Sequence, residues 1–285
     1  MKGGRSQPKR RSTRRRTTPA GTARRVPTPE SVLAIDIGNT QTVLGVFRDG
    51  ALVLFRRVTS GGARTGDELV VLVEALCREE NERIRATRRV VIASVVPALT
   101  EAYAAMARRL YGARARVVTS RVRTGVRLDV PDPTSLGADR IANAAAVADG
   151  RLPAIVVDLG TATTFDVIRA GRRYVGGVIA PGIRTSADEL FHRAAKLARV
   201  EICKPARRIG RTTEESIQSG VYYGAIGTID GIVRRLEQEL GRRARVIATG
   251  GLAPLVAGGS ATIREVDEAL TLRGLLKIEH LNRRG

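Results

Sequence analysis

The 285-residue chain reads as an α/β protein made of two related domains with mixed sheets around a cleft. Three observations carry that reading. First, the segments Asp36–Thr40 (DIGNT) and Asp158–Thr164 (DLGTATT) each follow an apolar run, Ser31–Ile35 and Ala154–Val157. Each also leads into further strand-like residues, so a strand–turn–strand unit occurs twice, 122 residues apart. Second, strands come first in each half and helices afterwards. Third, Ala148–Pro153 (ADGRLP) supplies turn residues between the halves. The division expected is a basic tail over 1–30, a first domain over 31–150 and a second over 151–285.

In order, the first half predicts strand, turn and strand over 32–58 and a helix over about 66–82. A strand follows at Val90–Val95, within the continuous apolar run VVIASVV that suits a buried central strand. Pro97 ends it and opens a helix over 99–110. A strand at Ala115–Thr119 and a two-proline loop over Val126–Ser135 lead to an alanine-rich helix starting near Gly137. The second half predicts strands at Ala154–Val157, Thr164–Ile168 and Arg173–Val178, then helices at 185–197 and 213–240. A strand at Ala244–Thr249 and a short helix near 268–277 complete it. Within the long helix, Gly220, Gly224, Gly227 and Gly231 fall along one face. Glycine costs a helix about 1 kcal/mol per residue, so the stripe calls for a close contact. Tight packing within the chain is the default, with a subunit interface or nucleotide contact as alternatives.

The net charge is +21, but it is unevenly placed. Residues 1–29 hold ten Lys or Arg and no acid, which leaves +11 for the remainder. Arginine outnumbers lysine 44 to 5, a bias of coding composition rather than of a phosphate-binding face, and aromatics are only 3%. With so little stacking surface, specific nucleic-acid binding is not expected. The tail, rich in Arg, Ser, Thr and Pro, cannot bury enough surface to fold and is expected to be disordered, with at most weak affinity for polyanions. It has no apolar core of a secretory signal, and no apolar run in the chain approaches the roughly 20 residues that cross a bilayer. Cys77 and Cys203 have no metal-ligand or CxxC spacing, which favours small semi-buried thiols and a reduced, cytoplasmic setting.

Several chemistries are excluded by motif. The chain has no GxxxxGK[ST], no GxGxxG after a strand and no GxSxG, and its two histidines, His192 and His280, make no cluster. What remains is the two turns and Gly137-Ala138-Asp139-Arg140. In each turn an acid ends a strand, a glycine follows two residues later, and small hydroxyl or amide residues come next. The glycine lets backbone N–H groups approach an oxyanion, the hydroxyls add donors, and the carboxylate holds a cation. Gly137–Arg140 places a carboxylate and a guanidinium in the first turn of a helix, where anions are favoured. Arg140 could grip a substrate carboxylate by two hydrogen bonds, and Asp139 could take a proton from an acceptor alcohol. The alternative is an Asp139 that only stabilises the helix N-terminus and pairs with Arg140.

The segments DIGNTQTVLGVF, ASVVP, GADRIANAAA, DLGTATTFDV, GGVIAPGI, TEESIQSGVYYGAIGTIDGIV and ATGGLA resemble, in order, those of type III pantothenate kinases. These belong to the actin-like ATPase and sugar-kinase superfamily, with ribonuclease H-like domains, and the resemblance runs from about Val32 to Leu276. It implies ATP-dependent phosphorylation of the primary alcohol of pantothenate, the first step of coenzyme A synthesis. It also implies a phosphate loop at Asp36, Ile37, Gly38, Asn39, Thr40, Gln41, Thr42 and Val43. Thr161 would contact ATP, and Asp158 would coordinate a monovalent cation, K+ or NH4+. Gly137, Ala138, Asp139 and Arg140 would bind pantothenate, with Asp139 as general base and Thr213 as a further substrate contact. ATP would carry Mg2+, the Thr249–Gly251 turn would lie near the adenosine, and the protein would be a homodimer with its acceptor site near the interface. One departure stands out. Many relatives carry an acceptor-contacting tyrosine where this chain has Val130, so the pocket loses a hydroxyl. Two other readings share the fold, a non-catalytic regulatory or transcription-linked relative and another transferase or phosphatase of the superfamily.

Overall fold

The computed structural model describes residues 1, 31–77, 87–194 and 199–283. The expected tail, and the ends of the helices expected to reach 82 and 197, lie outside the described residues.

Two mixed sheets form the framework. The first contains β1 (Ser31–Ile37), β2 (Gln41–Arg48), β3 (Ala51–Thr59), β4 (Arg89–Ser94) and β5 (Arg116–Val117), in the order β3-β2-β1-β4-β5. The second contains β7 (Ala154–Leu159), β8 (Ala162–Arg169), β9 (Arg173–Pro181), β10 (Arg245–Thr249) and β11 (Glu265–Val266), with β6 (Arg127–Leu128) added to its β9 edge. Its order is β11-β10-β7-β8-β9-β6. β1 pairs antiparallel with β2 and parallel with β4, and β7 does the same with β8 and β10. The duplicated strand–turn–strand unit thus sits at the same place in each sheet.

The helices cover these sheets as their apolar patterns require. In β1, Leu33, Ile35 and Ile37 face a core shared with α1 (Gly66–Leu76) and α2 (Pro97–Tyr111), while Val32 and Ala34 face the opposite side. That second face is closed by α3 (Ala138–Val147) and α7 (Leu270–Leu281). In the second sheet, Ile155, Val157 and Leu159 pack against α5 (Thr213–Leu240) and α6 (Ala253–Ala257), with α4 (Ile183–Arg193) alongside. Ala154 and Val156 face the α3 side. α3 therefore lies between the sheets, and the chain's last helix returns to the first sheet. The two helices touch closely: a Cβ at Gly274 would come within 1.9 Å of the Ala142 carbonyl oxygen.

Local signals explain the helix ends. Thr65 and Glu68 form a reciprocal capping box on α1, Pro97 opens α2, and Gly112 at φ 60° closes it. α5 begins on the Thr212 hydroxyl and stops at Gly241, φ 67°.

The glycine stripe of α5 corrects one expectation. Among the described residues, a Cβ at Gly220, Gly224 or Gly227 would meet nothing within 4 Å, and one at Gly231 only the Arg235 side chain. Among the described residues, the stripe makes no close packing. Gly220 and Gly224 instead line an open, largely apolar groove of about 520 Å³ between α5, α4 and the β8–β9 edge.

Candidate active site

Both glycine turns lie at strand ends that point into the same cleft. Asp36 is the next-to-last residue of β1, opposite Val43 and Ala93, and Asp158 that of β7, opposite Thr164 and Thr249. Gly38 donates its N–H to the Gln41 carbonyl (3.0 Å), and Gly160 donates to Ala162 (3.1 Å), which fixes the two bends. Across the cleft, the Thr40 and Thr161 hydroxyls are hydrogen-bonded to each other at 2.8 Å. Residues 121 apart in sequence thus meet side chain to side chain.

Within the first turn the residues divide. Asn39, Thr40 and Gln41 are exposed, whereas Ile37 belongs to the core and Val43 packs against it. Thr42 is buried, and its hydroxyl bonds to the Ser60 hydroxyl at 2.8 Å. Neither Ile37 nor Thr42 presents a side chain to a ligand.

The second turn is braced from three sides. Asn143, fully buried on α3, donates from Nδ2 to Asp158 Oδ2 (3.1 Å) and accepts from the Thr271 hydroxyl of α7 (2.8 Å). The Thr249-Gly250-Gly251 turn abuts Asp158: a Cβ at Gly250, φ +90°, would lie 2.7 Å from Asp158 Oδ1. The Thr185 hydroxyl donates to the Thr161 carbonyl (2.7 Å).

Asp139 and Arg140 open α3, with Gly137 at the cap. Asp139 Oδ1 accepts from the Arg140 backbone N–H at 2.8 Å, so the carboxylate does serve the helix terminus. It also faces the cleft acids. Burial pushes Asp36 well above the usual carboxylate range, and the charges of Asp139 and Asp158 push it further. Asp158 is raised to about 6, mainly by burial; the Asn143 hydrogen bond and the Arg57 charge pull down, and Asp139 pulls up. The Asp139 carboxylate thus disfavours the charged forms of both Asp36 and Asp158. Among the described residues, no group of three or more acids, cysteines or histidines forms a ready metal cage.

Arg140 does not pair with Asp139. Its Nε donates to Asp166 Oδ1 at 2.7 Å, and the Tyr174 hydroxyl donates to the same oxygen at 2.9 Å. The Arg140 side chain is 15% exposed and that of Asp166 is 0%. Thr213 lies at the start of α5, lining the apolar groove with Thr163, and is not among the hydrogen-bond partners of Asp139 or Arg140. Val130 is half-buried against the Tyr174 and Ile247 core.

Three residues missed in the sequence complete the site: Asn143, Asp166 and Arg57. Asn143 stands one helical turn after Asp139, a spacing that puts both on one face. Asp166 is a lone acid inside the apolar run TFDVI, where charge needs a partner. The Arg57 guanidinium crosses from β3 to the second sheet, where a Cβ at Gly251 would sit 3.0 Å from its Nη1. No local motif marks it.

The sequence profile of a family described as type III pantothenate kinase matches residues 32–235. A type III pantothenate kinase of Exiguobacterium sibiricum is 44% identical over 255 residues, covering 88% of this chain and 100% of that relative. Among solved structures, a Campylobacter jejuni protein assigned to the Baf family of transcriptional activators superposes with a TM-score of 0.57 at 20% identity, covering 89% of this chain and 100% of that one. MreB 5 of Spiroplasma citri, bound to AMPPNP, gives 0.52 at 13% identity, covering 90% and 98%. At those identities the two structures speak for the fold, an actin-like one.

Proposed function

Because the chain belongs to the type III pantothenate kinase family, we propose that it transfers the γ-phosphoryl group of ATP to the primary alcohol of pantothenate. The product would be 4′-phosphopantothenate, the first intermediate on the way to coenzyme A. The observation that carries this reading is the convergence of the two turns, Thr40 on Thr161, with the Asp139 charge felt at both Asp36 and Asp158.

Phosphoryl transfer asks for in-line positioning and charge neutralisation more than for covalent help. The Thr40 and Thr161 hydroxyls, now spent on each other, are donors that a triphosphate would take over. Asp36 would be the carboxylate for the Mg2+ end of the nucleotide, and Asp158, braced by Asn143, would hold K+ or NH4+. Such cations would neutralise the phosphates against the acceptor's own negative charge. As the acceptor oxygen bonds to the γ-phosphorus and the bridging bond to ADP breaks, Asp139 takes the alcohol proton, a role worth typically 10²–10⁴-fold. Arg140 supplies the positive charge for the pantothenate carboxylate. With Val130 in place of tyrosine, that wall of the acceptor pocket is apolar.

We further infer a homodimer in the cytoplasm, in which the apolar groove beside the α5 glycines meets a second copy and Thr213 completes the acceptor site from the interface. Open glycines on a long helix, otherwise costly, support it. Among the described residues, no helix is long and apolar enough to cross a membrane.

A coupled ADP-release assay with and without pantothenate, in Na+ against K+ or NH4+, tests the reading. ADP formation that requires pantothenate and rises with K+ supports it. Hydrolysis indifferent to pantothenate, or none at all, returns the chain to the regulatory or other-transferase readings.

A further inference from the structure

The scheme above uses Arg140 but leaves unused the buried acid that it pairs with, Asp166. Asp166 is completely buried in the middle of β8, directly opposite Gly177 of β9. An acid there is costly unless its charge is met, and Arg140 of α3 meets it through Nε at 2.7 Å. The Tyr174 hydroxyl, reaching from β9, donates to the same carboxylate oxygen, and the Tyr174 ring lies 5.9 Å below the guanidinium carbon. Gly177 makes the room: a Cβ there would sit 2.7 Å from Arg140 Nη2 and 1.8 Å from the Phe165 carbonyl oxygen. Together, Asp166, Tyr174 and Gly177 form a socket on the second sheet for an arginine carried by a helix that also packs on the first.

The socket decides which face of the guanidinium can work. Nε is taken by Asp166. Nη2 and the second Asp166 oxygen, Oδ2, are buried and have no hydrogen-bond partner among the described residues. Of the three guanidinium nitrogens, only Nη1 is neither bonded to Asp166 nor a buried atom without a partner among the described residues. A freely rotating arginine would offer a carboxylate two parallel donors; a socketed one offers a single donor at a fixed place.

We propose that Asp166, with Tyr174, is the positioning residue that holds Arg140 as a one-donor reader of the acceptor's carboxylate, and so sets the preference for an anionic acceptor. The proposal rests on the pantothenate reading above for the identity of the acceptor, but not for the anchoring itself. Asp166→Asn keeps the shape of the side chain and removes the charge that orders the guanidinium. The expected result is a rise of about tenfold in KM for pantothenate, with KM for ATP unchanged and kcat within about threefold. The preference for pantothenate over an analogue whose carboxylate is replaced by a neutral group should fall by the same factor. Tyr174→Phe, which keeps the buried ion pair, should move both quantities the same way by about two- to fourfold, and it covers the case in which Asp166→Asn fails to fold. An independent readout needs no substrate: the ¹⁵N-detected Nε–H signal that disappears in Arg140→Lys should be protected from exchange in the parent protein and lose that protection in Asp166→Asn. An equal drop in kcat for charged and neutral acceptors at unchanged KM would mean a merely structural role and overturn the proposal, as would an Nε–H signal indifferent to Asp166. A parent protein with no pantothenate-dependent turnover but a protected Nε–H would instead sink the kinase reading and leave the anchoring standing.

Discussion

Asn143→Ala is the perturbation that most sharply couples the fold to the site. Asn143 is fully buried and joins α3 to both the Asp158 carboxylate (3.1 Å) and the Thr271 hydroxyl (2.8 Å). A hydrogen bond to a charged group contributes about 1.5–3 kcal/mol and a neutral one about 0.5–1.5 kcal/mol. The two together put the loss near 3 kcal/mol, or a fall in Tm on the order of 5–10 °C. The penalty should depend on pH, with a definite sign. Asp158 titrates at about 6 in the folded chain, above its ordinary value, so its contribution to stability is present at low pH and is lost as pH rises through 6. The Asn143 hydrogen bond is the main influence pulling that value down, so its removal pushes the titration higher. The mutant should therefore suffer most above pH 7 and least near pH 5, where Asp158 is protonated. Thermal unfolding of both proteins from pH 5 to 8, with and without K+, reads this directly. The parent should gain Tm from K+ at pH 8 and the mutant much less. A pH-independent difference, or equal protection by K+, would refute the assignment of Asn143 as the brace of Asp158.

Other expectations are simpler. Gly250→Ala forces a positive φ on alanine and drives a methyl against Asp158 Oδ1, so it should cost at least about 2 kcal/mol by denaturant unfolding and abolish stimulation by K+. Gly224→Leu should turn a dimer into a monomer by light scattering; an unchanged dimer would move the interface off the α5 stripe. Burial lifts the Cys77 thiol to about 11, so at pH 8 it is neutral and should resist alkylation until the chain unfolds. Fast labelling of native Cys77 would contradict the packing of α1.

Much of this architecture was legible because the central strands announce themselves. β1, β4 and β7 are buried on both faces, so each carries a run of four apolar residues, and α5 matches its expected limits of 213–240 because Thr212 and Gly241 bracket it. The two-residue strands β6 and β11 and the five-residue α6 are held by neighbours far away in sequence, and no period can form over so few residues. The strand expected at Ala115–Thr119 shrinks to Arg116–Val117 for the same reason. At the site, the glycine turns and Asp139 were readable because each motif is contiguous. Asn143, Asp166 and Arg57 were not, because each acts on a partner 15 or more residues away across the cleft. The α5 glycines show the opposite failure: a strong local pattern points to contact within the chain, yet among the described residues the space around Gly220, Gly224 and Gly227 is open.

In the proposed mechanism, Asp139 faces the phosphoryl group held between the two turns. Asp139→Asn tests it most directly, with ATP affinity measured by calorimetry and pantothenate phosphorylation by single turnover. ATP binding should stay within about twofold while phosphorylation falls by roughly 10²–10⁴-fold. Turnover at the parent's rate, or a loss that merely tracks weakened ATP binding, would contradict it.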